Sequence, residues 1–249
     1  MDRVREDNVK FKGIVFTAAA TALSLALAGS AAASPLGHTS KPAPQVNGVR
    51  LQSALLPASA FGSGFTVYQP LNSGKKLRST RAWIKPSTLS CANFEEYVYV
   101  WGFGNTAGAV DGVNNPNPAF ADYPSVVLGG YQAVLQFKTA KAATSFYNQA
   151  YTRYKQCSDF TESDTADNIQ FELTNQSLTK TTINKHQAFQ LIQYVDISSL
   201  PALNFYQNTA VVLAGTNVYT IDDVNGTNDP IPASLLGRFV NRVQALYKH

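Results

Sequence analysis

Apolar and polar positions along the chain fall into two kinds of pattern. Residues 94–101 (FEEYVYVW), 131–137 (YQAVLQF), 169–174 (IQFELT), 186–196 (HQAFQLIQYVD), 209–214 (TAVVLA) and 217–222 (NVYTID) alternate or form short apolar runs. That is the period-two signature of strands. Residues 65–68 and 126–128 add two short strands, the second divided from Tyr131 by Gly129-Gly130 at a turn or bulge. Two other stretches place apolar residues every three or four positions. Over 140–156 the stripe is Ala143, Phe146, Tyr147, Ala150, Tyr151 and Tyr154, with Thr139 placed to cap the first turn. Over 232–247 it is Leu235, Leu236, Phe239, Val240, Val243, Leu246 and Tyr247, with Pro232 suited to the first turn and Arg238, Asn241 and Arg242 opposite. Residues 51–60 predict a short helical or turn segment.

Gly215-Thr216-Asn217 is short enough to join the last two strands as a hairpin. Residues 71–90, the Gly-, Asn- and Pro-rich stretch 102–125, and an acidic stretch around Glu162, Asp164 and Asp167 show no such period and are expected to be loops. The strands are grouped rather than interleaved with helices, which predicts an α+β fold on an antiparallel sheet.

The amino terminus carries a different kind of signal. Arg3, Arg5, Lys10 and Lys12 precede an uncharged apolar run over 13–29, and Ala31-Ala32-Ala33 supplies a small-residue cleavage site before Ser34. This order is that of a secretory signal peptide, expected to span 1–33, the rival being an uncleaved anchor. Residues 34–48, with Pro35, Pro42 and Pro44, read as a Pro-rich tether. One domain over 49–249 is expected to follow. Charged residues make up 14% of the 249-residue chain, against roughly 25% in an average soluble domain. Ample apolar content excludes simple disorder. The net charge of +4 is too small and too scattered to predict nucleic-acid binding.

Cys91 and Cys157 both lie in the exported part, where an even count favours a disulfide, and only one intramolecular pairing exists. Cys157 continues the apolar face of the 140–156 helix, so the bond would staple that helix to the segment at Cys91. Neither cysteine has a CxxC neighbour, and three histidines without an HExxH pattern argue against a metal site.

Other motifs weaken on inspection. Gly102-Phe-Gly104-Asn-Thr-Ala107 has dinucleotide-loop spacing, and Gly104-Asn-Thr106-Ala-Gly108 has nucleophile-elbow spacing, but both need a following helix that Gly108, Gly112, Pro116 and Pro118 deny. No cofactor is expected. His186 is the one histidine expected within the folded domain, since His38 is in the tether and His249 ends the chain. Residues 222–229 are oxygen-rich but lack the bidentate Glu of a calcium loop. Glu95 and Glu96 are adjacent and face opposite sides of a strand. The positive candidate is an aromatic file: Tyr97, Tyr99, Trp101 and Phe103 share one strand face and either line a ligand cleft or sit in the core.

In order along the chain, Leu55-Leu56-Pro57 before Gly62-Ser63-Gly64, Cys91, the strand 131–137, the helix end Tyr154-Lys-Gln-Cys157, the strand 210–219 and Arg242-Val-Gln-Ala-Leu-Tyr247 resemble the extracellular sensor domain of mycobacterial PknH-type Ser/Thr kinases and their secreted or lipoprotein relatives. The resemblance covers about residues 51–248. It implies a twisted antiparallel sheet flanked by helices, with a cleft for a ligand, and a non-catalytic sensor. The chain departs in carrying no kinase or second spanning segment, and in having one cysteine pair where the kinase-attached domain has two. The expectation is a secreted, monomeric, non-enzymatic domain that binds a small extracytoplasmic ligand or an envelope component, in a cleft between the sheet and the 102–125 loop. A secreted hydrolase using His186 or dispersed carboxylates, and a structural envelope protein, are the alternatives.

Overall fold

Among the described residues, burial begins at Val46, two residues ahead of the helix Gly48–Ser53. The structure, a computed structural model, describes residues 44–63, 65–70, 91, 105–114, 129–164, 169–198, 201, 204–224 and 228–248. Among these residues the helices are α1 (Gly48–Ser53), α2 (Ala140–Gln156) and α3 (Ala233–Ala245). The strands are β1 (Thr66–Pro70), β2 (Asn105–Asn114), β3 (Gly129–Phe137), β4 (Asp159–Asp164), β5 (Ile169–Ile183), β6 (His186–Ile197), β7 (Phe205–Ala214) and β8 (Asn217–Val224). All eight form one sheet in the order β1-β2-β3-β8-β7-β6-β5-β4, every neighbouring pair antiparallel. The sheet is open, with β1 and β4 at its edges, and the fold is α+β.

The chain leaves the middle of the sheet after β3, crosses one face as α2, and returns strand by strand from β4 to β8. The length of α2 suits that crossing. Its 17 residues span about 26 Å, and the five inter-strand steps from β3 to β4 cover about 24 Å. The Thr139 hydroxyl accepts from the Ala142 amide and starts the helix. Phe146 meets Phe137 on β3, while Tyr147, Tyr151 and Tyr154 surround Phe189 on β6. Near its end, the Asn175 amide on β5 donates to the Tyr154 carbonyl. Cys157 caps the helix and is disulfide-bonded to Cys91.

The opposite face carries α1 and α3. Leu235, Leu236, Phe239, Val240 and Val243 of α3 are buried there against Ala188, Val212, Tyr219 and Ile221. Each such side chain contributes about 1.5–3 kcal/mol relative to an exposed one. Two glutamines of β3 fasten the segments around α1 in the manner of an extra strand. Gln132 accepts from the Leu56 N–H and donates to the Leu56 carbonyl, both at 2.7 Å. Gln136 accepts from the Val46 N–H at 2.9 Å, donates to the Val46 carbonyl at 3.0 Å, and also accepts from the Tyr247 hydroxyl. Arg242 of α3 then donates to the carbonyls of Ser53 and Ala54, which α1 leaves unpaired at its end.

The structure departs from the sequence expectations in three places. The 102–125 stretch is not a loop throughout, because residues 105–114 form β2 between β1 and β3. Its Gly and Ala residues hide the strand pattern, yet Ala107 and Ala109 are buried beside Leu51 and Leu55, where small side chains admit α1. The acidic stretch begins as edge strand β4, paired with β5 over Asp159–Asp164. The packed chain also starts before Val49, because Gln136 holds Val46. Residues 1–33, 71–90 and 94–101 lie outside the described residues, as do 126–128.

Strand β5 extends well past the expected 169–174. Its second half, Ser177 to Thr182, is Thr-rich and largely exposed, so it shows no apolar alternation. A two-residue turn at Asn184 (φ 47°) and Lys185 (φ 68°) closes it onto β6. The Asn184 side chain donates to the Gly237 carbonyl of α3, and a Cβ at Gly237 would come within 3.1 Å of that amide. Gly237 therefore lets the hairpin tip dock on α3. At the β7–β8 turn Gly215 has φ 64°, so the hairpin expected there is present.

Candidate functional site

On the α2 face, one end of the sheet is apolar and the other polar. Val218, Val211, Leu135, Phe137 and Phe189 lie under α2. Farther along the same inward files come Thr220 and Asp222 on β8, Gln207 and Thr209 on β7, and Gln193 on β6. Alternation puts these on one face, and the register pairs Asp222 with Thr209 and Gln207 with Gln193. Asp222, only 4% exposed, accepts from the Gln207 amide at 3.1 Å and the Thr209 hydroxyl at 3.2 Å. Gln193 is wholly buried, and neither its amide oxygen nor its amide nitrogen has a hydrogen-bond partner. The Thr220 hydroxyl is likewise buried without one. Gln207 and Tyr131, the latter paired with Asp222 from β3, are partly exposed and bring this polar set to the surface.

The arrangement offers a carboxylate, an amide and hydroxyls, which can hold a polar group. His186 stands at the other end of β6 with its ring 2.9 Å from the Gln244 amide. Seven residues of strand separate it from Gln193, about 23 Å. His186 and Asp222 therefore form no dyad. Thr106, the centre of the elbow-like spacing, lies on β2 and donates to the Gln45 amide oxygen. Among the described residues no group of three or more His, Cys, Asp or Glu is placed to hold a metal ion. Of the oxygen-rich run, Asp222 belongs to the polar set, while residues 225–227 are outside the described residues. Tyr97, Tyr99, Trp101 and Phe103 lie outside them as well, with Glu95 and Glu96.

The aromatic file was the candidate visible in the sequence, and the Gln193–Asp222 set was not singled out. Its signal was nevertheless present. In 186–196 the inward file Phe189, Leu191, Gln193, Val195 is interrupted by one amide, and in 217–222 the file Val218, Thr220, Asp222 turns polar. Polar residues at inward strand positions are costly and mark a structural network or a site.

A second buried carboxylate sits on the other face. Asp111 of β2 is 8% exposed, its Oδ1 has no hydrogen-bond partner, and burial pushes its carboxyl above the ordinary aspartate value. A native pKa above the unfolded one means that the native state holds the proton more tightly. This contribution is fully present below the unfolded value and is lost as pH rises through the native one. Asp111→Asn should therefore raise the melting temperature at pH 7, with a gain of about 1 kcal/mol. The gain should shrink in acid; equal gains in thermal melts at pH 7 and pH 4 would contradict the assignment.

The fold defined by these elements is an antiparallel sheet with helices on both faces and a polar end to one of them. It is similar to the crystal structure of the extracellular domain of PknH from Mycobacterium tuberculosis, with a TM-score of 0.57 and 17% identity, covering 82% of this chain and 98% of that one. At that identity the likeness is one of fold. No protein-family model and no curated protein sequence matches the chain.

Proposed function

We propose that this chain is an exported, non-catalytic ligand-binding domain of the sensor type, acting in the cell envelope on a small extracytoplasmic ligand or envelope component. The observation that carries the reading is the polar end of the α2 face, where buried groups lack partners that the fold itself could have supplied. Likeness in fold to the extracellular domain of PknH supports it. The signal-peptide order of residues 1–33 and the Cys91–Cys157 bond support export to an oxidising compartment. Among the described residues no helix is long and apolar enough to cross a membrane. Tyr97, Tyr99, Trp101 and Phe103 are proposed as an aromatic wall for the ligand.

The test is the melting temperature of the disulfide-intact chain against cell-wall fragments, envelope lipids and sugars. At 100-fold excess over Kd, binding stabilises by about 2.7 kcal/mol, a shift of several degrees for a domain of this size. Trp101→Ala with Tyr99→Ala should keep the fold and lose the shift. If no class of envelope compound shifts the transition, the reading fails.

A further inference from the structure

We infer that Gln193, with Gln207 and its acceptor Asp222 beside it, is a subsite for a neutral group that both donates and accepts hydrogen bonds, a hydroxyl or a carboxamide. The inference rests on the ligand-binding reading above and adds the chemistry of the ligand. Gln193 presents one acceptor oxygen and two N–H donors, all buried and unpartnered. The register sets Gln193 directly beside Gln207, whose amide donates to Asp222. A buried amide left unsatisfied on both atoms destabilises the fold that holds it. A strand whose inward neighbours are Leu191 and Val195 could hold Met or Leu there at no such cost.

The donor and acceptor content selects the ligand class. An anion would face the Asp222 carboxylate. A cation would use the carboxylate and the Gln193 oxygen but leave the Gln193 N–H groups with nothing to donate to. A hydroxyl or a carboxamide satisfies both halves of the Gln193 side chain at once. The other buried polar atoms without partners are set differently. The Thr220 hydroxyl lies beside Val211 beneath α2, and Asp111 Oδ1 lies on the opposite face of the sheet. Partly exposed Gln207 and Tyr131 mark the side from which a ligand group would enter.

The test uses the full chain with its disulfide intact, and reads the Gln193 side-chain N–H resonances together with the melting temperature. Glucose is the hydroxyl probe, acetamide the carboxamide probe, and acetate and methylammonium are the charged controls. Glucose or acetamide should move the Gln193 resonances and raise the melting temperature, and the controls should not. Gln193→Met keeps the length of the side chain and removes the amide. It should melt higher than the native chain without ligand and bind the active probe about tenfold more weakly or worse. Gln193→Leu asks the same question should the Met variant not fold. Resonances unmoved by both neutral probes, or equal binding by the native chain and Gln193→Met, would overturn the subsite. An envelope compound that stabilises the native chain and Gln193→Met alike would also overturn it while leaving the sensor reading intact.

Discussion

Replacing Cys91 and Cys157 together by alanine is expected to destabilise the domain by about 4 kcal/mol. The bond closes a loop with a sequence separation of 66, and chain entropy sets the loss for a loop of that length. The position of the bond adds a second consequence. Cys157 is the cap of α2, buried at 2%, with its N–H donated to the Arg153 carbonyl. Helix α2 makes the crossing from β3 to β4, so the bond fixes the end of the crossover from which the returning strands start. The double variant should unfold at a markedly lower urea concentration than the oxidised protein, and matching midpoints would refute the role given to the bond.

Phe189→Ala is expected to cost about 3–5 kcal/mol. Its ring is fully buried and lies 5.2, 5.5 and 5.9 Å from the rings of Tyr147, Tyr151 and Tyr154. These three tyrosines form most of the face that α2 turns to the sheet, so truncation opens a cavity where the helix crosses β6. The rings are tilted or edge-on to Phe189, geometries that add about 0.5–1.5 kcal/mol per pair beyond burial. Phe189→Leu refills part of the space and should recover part of the loss. Equilibrium urea unfolding measures both, and a loss below about 1 kcal/mol for the alanine variant would remove Phe189 from the centre of this interface.

Both effects concern elements whose pattern was plain in the sequence. Helices α2 and α3 each have one apolar stripe at helical spacing, and the buried residues Ala143, Phe146, Tyr147, Ala150 and Tyr154 are five of the six expected for α2. The sixth, Tyr151, is partly exposed, with the Lys180 ammonium 4.3 Å from its ring centre. Strand β2 was hidden because its buried apolar residues are only Ala107, Ala109 and Val110, set among glycines, a composition shared with loops. The far half of β5 was hidden because an exposed strand has no apolar face to alternate. Its Asn184-Lys185 turn lacks the glycine that signals a two-residue hairpin most clearly.

The candidate site divides in the same way. A polar residue in an inward file, such as Gln193 or Thr220, is visible in one strand alone. That Gln193 lies beside Gln207, and Gln207 reaches Asp222, depends on β6, β7 and β8 being adjacent and in one register. The class of fold, the two long helices and their buried faces, the β7–β8 hairpin and the one available cysteine pairing were all legible in the chain, because each follows from local periodicity, turn chemistry or a count of two. The folded arrangement was needed to establish that β8 pairs with β3, that β3 clamps Val46 and Leu56 through Gln136 and Gln132, and which polar groups meet. Those outcomes rest on strand pairings and contacts between residues far apart in the chain, and local pattern carries no information about them.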